Sequence, residues 1–156
     1  MMNRNQTTAN RLREVLLNGD WIAGTNYKAI LHDVDWQMAT QKINNLNTIA
    51  ALTFHVNYYL EGLLDAFKTG ALTIKDANSF NMPAIQNTTD WENLRSNFLS
   101  NAELFVIAVE QMNDNLFDQV FFNQQYGTYQ RNLEGVIEHC YYHLGQISLL
   151  KKLIIN

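Results

Sequence analysis

Pro83 is the one proline in a chain of 156 residues, and only seven glycines accompany it. Proline breaks helices and glycine weakens them, so a chain this poor in both is free to run long helices. The apolar residues agree. A first helix is predicted over about 4–18, with Leu12, Val15 and Leu16 on its apolar side and Gly19 ending it. Residues 20–34 hold no sustained period and read as a long connection with one short helical turn. The helical period returns from Asp35 in "DWQMATQKI". It is strongest in "TIAALTFHVNYYLEGLLDAFKTG", where Ile49, Leu52, Val56, Tyr59, Leu63 and Phe67 recur three and four apart and Gly70 can cap the C-terminus.

The next segment, "ALTIKDANSFNMPAIQNTTD", is rich in Asn and Thr and holds the proline. It is long for a loop and is expected to cross the outside of the helical body or one of its ends. A third helix opens in "NTTDWENL", where a Thr or Asp can cap, and buries Leu94, Phe98, Phe105, Val109 and Met112. The last runs from about Thr128 to Ile154, its inward stripe made of Val136, Cys140, His143, Ile147, Leu150 and Ile154. No repeat or linker divides the chain. Four long amphipathic helices with such connections predict a single all-α domain, 1–156, folded as a four-helix bundle.

Composition excludes several classes of function. The net charge is −4 and no Lys/Arg run exists to neutralise phosphates, so nucleic acid is not the expected partner. Lys151 and Lys152 read instead as favourable charge at a helix C-terminus. No apolar run reaches the length of about 18 residues that a spanning helix needs, and "MMNRNQTTANRLREVLLNGD" holds no signal-peptide core. The one cysteine, Cys140, has no intramolecular disulfide partner, which makes a reducing cytoplasm the expected location.

Against this background the histidines stand out. His139 and His143 interrupt the apolar rhythm of "NLEGVIEHCYYHLGQISLLKKLI" where the core should be densest. Residues four apart on a helix point about 40° from one another and lie about 6 Å apart along the axis, so the two rings aim at nearly one point. Gln146 returns to the same face. An H-x3-H pair on a helix is a common way to hold two corners of a metal's coordination sphere. His55, mid-helix in "LTFHVNYYL", is the third ligand to be expected, because bundle cores assemble metal sites from inward-facing residues of different helices.

The plainer alternative is that these are core histidines satisfied by ordinary neighbours, since i,i+4 pairs occur freely on helices. Three of the chain's four histidines on inward stripes weigh against it. Each would cost about 1–3 kcal/mol if buried unsatisfied, and a metal removes that cost. His32, in an irregular stretch, reads as a surface residue. Cys140 points about 100° away from His139 and reads as core. Glu134, Glu138, Glu61 and Asp65 read as solvated charge. Tyr58, Tyr59, Tyr141 and Tyr142 read mostly as packing residues. Phe117, Phe121, Phe122 and Tyr126 lie in poorly periodic sequence and suggest either local packing or a surface shared with a second copy, a homodimer.

These residues also carry a family resemblance. "HCYYHLGQISLLKK" resembles the H-x3-H-x-GQI ending of the DinB-like (YfiT-like) metal-binding helical proteins. "TIAALTFHVNYYL" resembles that family's first-ligand region, and "WIAGTNYKAILHDVDWQMATQKINNLNTI" its link from helix one to helix two. The resemblance implies an up-down-down-up four-helix bundle, with His55, His139 and His143 as ligands of one divalent ion, for which zinc or nickel is favoured. It also implies dimerisation and use of a low-molecular-weight thiol as co-substrate, transferred to an electrophile, with Gln146 or Tyr59 orienting a ligand or water. Two other readings stay open: a hydrolase in which the same ion activates water, and a non-catalytic metal-binding bundle. A three-histidine site favours an enzyme, because structural zinc sites are usually closed by four protein ligands.

Overall fold

Caps and glycines set where each helix starts and stops. The computed structural model describes residues 3–155, so residues 1, 2 and 156 of the expected domain lie outside it. Helix α1 covers Arg4–Arg13 and continues as a π-helical turn through Glu14–Asn18. The expected 4–18 segment is therefore helical throughout, but its last turn is widened. Gly19 follows because a β-carbon there would lie 2.1 Å from Glu14 Cγ. Two short helices, α2 (Tyr27–Leu31) and α3 (Trp36–Thr40), occupy the connection, capped by Asn26 and Asp35. Helix α3 is shorter than the apolar period of "DWQMATQKI" suggests. Gln41 turns extended and Asn44 takes a positive φ of 47°, a conformation asparagine tolerates.

Helix α4 (Ile49–Thr69) starts at Thr48, whose side chain accepts the Ala51 N–H, and ends at Gly70 in the left-handed region at φ 75°. Helix α5 (Thr88–Glu110) is capped by Asn87, one residue before the Thr or Asp expected to do so. Its side chain accepts the Asp90 N–H at 3.0 Å, while Asp90 reaches back to the Gln86 N–H at 2.9 Å. The pair satisfies two amides at a helix start. Helix α6 (Tyr129–Ile155) begins where Thr128 Oγ1 accepts the Arg131 N–H at 3.2 Å.

The molecule is all-α: no β-strand forms among the described residues, and a single isolated bridge joins Val120 to Thr128. The four long helices touch in a closed ring, α1 against α5 and α6, and α4 against α5 and α6. Helices α2 and α3 pack outside it, on α6 and on α4 and α5 respectively. Trp91, Tyr27, Phe98, Phe105 and Phe117 are the largest fully buried side chains. Polar atoms that enter this core find partners, as burial requires, with His55 Nδ1 the exception among the described residues. Trp91 Nε1 donates to the Val34 carbonyl at 2.7 Å, and Asn101 Nδ2 to Asn57 Oδ1 at 2.9 Å.

Phe117 and Phe121 are buried and Phe122 is packed against the core, so local packing accounts for three of the four aromatics between α5 and α6. Tyr126 alone is exposed. Among the described residues no helix is long and apolar enough to cross a membrane.

Candidate metal centre

Two of the long helices bring the histidines together. Helix α4 presents His55 and α6 presents His139 and His143, and the three rings meet between them. His55 Nε2 lies 3.1 Å from His139 Nε2, and His143 Nε2 lies 2.9 Å from the same atom. One ligand atom from each residue falls within 4.8 Å of the others, and no fourth His, Cys, Asp or Glu joins the group among the described residues. His55 and His143 are buried and His139 is half-buried.

Hydrogen bonding among the rings does not account for this convergence. Gln146 Oε1 lies 2.6 Å from His143 Nδ1. A carbonyl oxygen only accepts, so the proton of a neutral His143 sits on Nδ1 and its Nε2 offers a lone pair. His139 Nε2 carries either one proton or one lone pair in its ring plane, yet it faces two nitrogen neighbours. At most one of the two contacts is satisfied. His55 Nδ1 is buried without a hydrogen bond of ordinary geometry, although the Ser79 backbone acts on the ring enough to favour its protonated form.

A cation fits the arrangement. One nitrogen from each ring lies within 4.8 Å of the others, close enough for the three to hold one metal ion. The carbonyl behind His143 is the kind of outer partner that metal-bound imidazoles recruit. Electrostatics agree. Burial holds the pKa of His55, His139 and His143 below the usual imidazole value, His139 at about 4, with neighbouring imidazoles as the next cause for His139 and His55. All three are therefore neutral at pH 7, the state that ligates metal.

The segment after α4 forms the wall beside the site. Tyr58 Oη donates to the Lys75 carbonyl at 3.0 Å and accepts the Lys75 N–H at 3.1 Å. Tyr59 Oη donates to Asp76 Oδ1 at 2.9 Å, and its ring meets His55 and His139 edge-on at 5.1 and 5.3 Å. Phe80 stacks on His55 at 4.1 Å. Ile74 fits over Gly62, where a β-carbon would lie 2.6 Å from Ile74 Cγ1. The long segment thus folds back along α4 as a strap. Asp76, Ser79 and Phe80 were not foreseen as site residues, and the length of that loop was the available signal.

The remaining sequence candidates fall elsewhere. His32 is exposed. Cys140 is fully buried, its thiol pushed up to about 12 by burial. Tyr27 Oη donates to the Cys140 carbonyl at 2.8 Å and holds α6 beside the ligands. Glu138 pairs with Arg131 and Glu134 with Gln130, while Glu61 and Asp65 are exposed. Gln146 and Tyr59 flank the histidines, Gln146 Oε1 engaged on His143 and Tyr59 Oη on Asp76.

A groove of about 540 Å³ opens from His139 between α4 and α6, within the range that holds small-molecule ligands. Compared with known protein families, with curated proteins and with solved structures, this chain finds no match.

Proposed function

We propose that this chain is a metal-dependent thiol S-transferase of the DinB-like kind, holding one divalent ion, zinc or nickel, on His55, His139 and His143. The observation that carries the reading is the convergence of three neutral imidazoles from two helices, without a fourth ligand, at the mouth of an apolar groove. Closed structural sites take four protein ligands, and open ones serve chemistry. The up-down-down-up topology belongs to the same proposal. Its support is the order of contacts: Asn57–Asn101 and Phe67–Phe105 advance together along α4 and α5, whereas His55–His139 and Phe67–Tyr129 run in opposite senses along α4 and α6.

A divalent ion in this site would supply a Lewis acid that lowers the pKa of a bound thiol, from about 8.5, to below neutrality. The protein's residues do the rest. Gln146 fixes the His143 tautomer so that Nε2 points into the site. Asp76 holds the Tyr59 hydroxyl, whose pKa is raised by burial first and by Asp76 next, so it stays protonated. The new carbon–sulfur bond forms as the carbon's bond to its leaving group breaks, that group taking the electron pair, and the thiol proton passes to solvent. A reducing cytoplasm suits such a co-substrate.

The test supplies zinc- or nickel-loaded protein with a panel of small thiols and a chromogenic electrophile. Conjugate formation should require both ion and thiol and vanish in His55→Ala. Ester hydrolysis without thiol would favour the hydrolase instead. Neither activity with fully loaded protein would leave a metal-binding bundle. Equal metal content in wild type and His139→Ala would remove the site itself.

A further inference from the structure

We propose that the groove between α4 and α6 takes the electrophilic co-substrate, and that this co-substrate is an amphipathic monoanion with its apolar body on the groove wall and its carboxylate on Arg131. The inference rests on the transferase reading for the reaction, but its physical basis is the groove alone.

The wall is largely apolar, with Phe67 and Phe121 beside the aliphatic residues. Leu60 and Leu63 of α4 face Leu133 and Val136 of α6, and such a surface gains most by exchanging water for hydrocarbon. One carboxylate and one guanidinium line the groove, Asp76 and Arg131. Asp76 lies toward the histidines with one oxygen held by Tyr59. Arg131 lies two helical turns before His139, and both its Nη atoms reach a single oxygen, Oε2 of Glu138, at 3.1 Å. Glu138 itself does not line the groove. This ion pair is exposed on both sides and weakly held, so a ligand carboxylate can compete for the guanidinium. A cationic ligand would find only Asp76, whose Oδ1 already accepts from Tyr59 and which lies toward the histidines. The ligand's charge would lie beside the divalent ion or beside Arg131.

Gly135 supplies the room. It sits in the interior of α6, where glycine is less stable than alanine, yet a β-carbon there would meet only Arg131 Nη1, at 3.8 Å. Packing does not demand this glycine. What it provides is an open floor between Arg131 and His139.

Decanoate, 1-decanol and decyltrimethylammonium serve as probes, titrated calorimetrically into zinc-loaded wild type, Arg131→Met and Gly135→Leu. Metal content is measured in parallel and helicity is checked by circular dichroism. In wild type, decanoate should bind roughly tenfold more tightly than decanol, as one charge-assisted contact allows, and the cation should bind most weakly. Arg131→Met should erase the preference for decanoate over decanol, and Gly135→Leu should weaken every probe at unchanged metal content. Decanol matching decanoate in wild type, or a preference that survives Arg131→Met, overturns the proposal. Repeating the titration on metal-free protein separates the two readings. Carboxylate selectivity that persists without metal upholds the groove even if no transferase activity is found.

Discussion

At the scale of single residues, the centre depends on one amide. Gln146 Oε1 accepts from His143 Nδ1, 2.6 Å away. Gln146→Leu keeps the shape and removes the acceptor, so metal affinity should fall about 10- to 100-fold while the fold stays intact. Competition against a chromophoric chelator measures this, and an unchanged affinity would refute the role. Acid should act on the metal-free protein through the same rings. Their folded pKa values are depressed, His139 to about 4, below the unfolded value of about 6.5. In that window the unfolded chain binds more protons than the folded one, so stability is full above about pH 6.5 and is lost as pH falls toward 4. The urea midpoint of chelator-treated protein should decline steadily across that range, and a flat profile would contradict it. The three histidines were legible in the sequence because helical spacing turns directly into direction. Their hydrogen-bond states were not, since those depend on which neighbours arrive from other elements.

At the scale of elements, the strap over α4 is what the sequence hid. Helices announce themselves by period and cap, and the bounds of α4 and α6 follow from Thr48, Gly70 and Thr128. A segment such as 71–87 has no period, so its path is set by single contacts that no spacing rule encodes. Gly62 is the clearest of them. Overpacking against Ile74 should make Gly62→Ala destabilising by roughly 1–3 kcal/mol, offset by about 1 kcal/mol from alanine's helix preference. In an Ile74→Ala background the obstructing Cγ1 and Cδ1 are gone and the remaining Cβ would stand 3.9 Å away. There the same substitution should turn stabilising. A double-mutant cycle by urea denaturation reads the coupling, and additive effects would show that the strap does not press on α4. The cap of α5 at Asn87 and the early end of α3 were likewise missed, because neighbouring Asn, Thr and Asp residues are near-equal caps and only the tertiary path chooses among them.

At the scale of the whole molecule, the His55–His139 contact joins α4 to α6 across 84 residues of chain, so an ion held there would brace the two helices. An ion that binds only the folded form should raise the thermal midpoint with its concentration, by about 2.7 kcal/mol of added stability at a hundredfold excess over Kd. Thermal melts of wild type with zinc or nickel should show this, and His55→Ala should melt at one temperature whatever the ion. The all-α class was legible from glycine and proline scarcity and from apolar spacing. Cys140 gives the molecule one more property. It is the chain's sole thiol, carried on the inward face of α6 where the groove meets the core, fully buried and held protonated by burial up to about 12. An alkylating reagent therefore has no target until α6 lifts away from the rest of the protein. Labelling by a chromogenic disulfide at neutral pH should be very slow in the native state and rise with urea in step with loss of helical signal. The chain's single cysteine thus works as a built-in gauge of global opening.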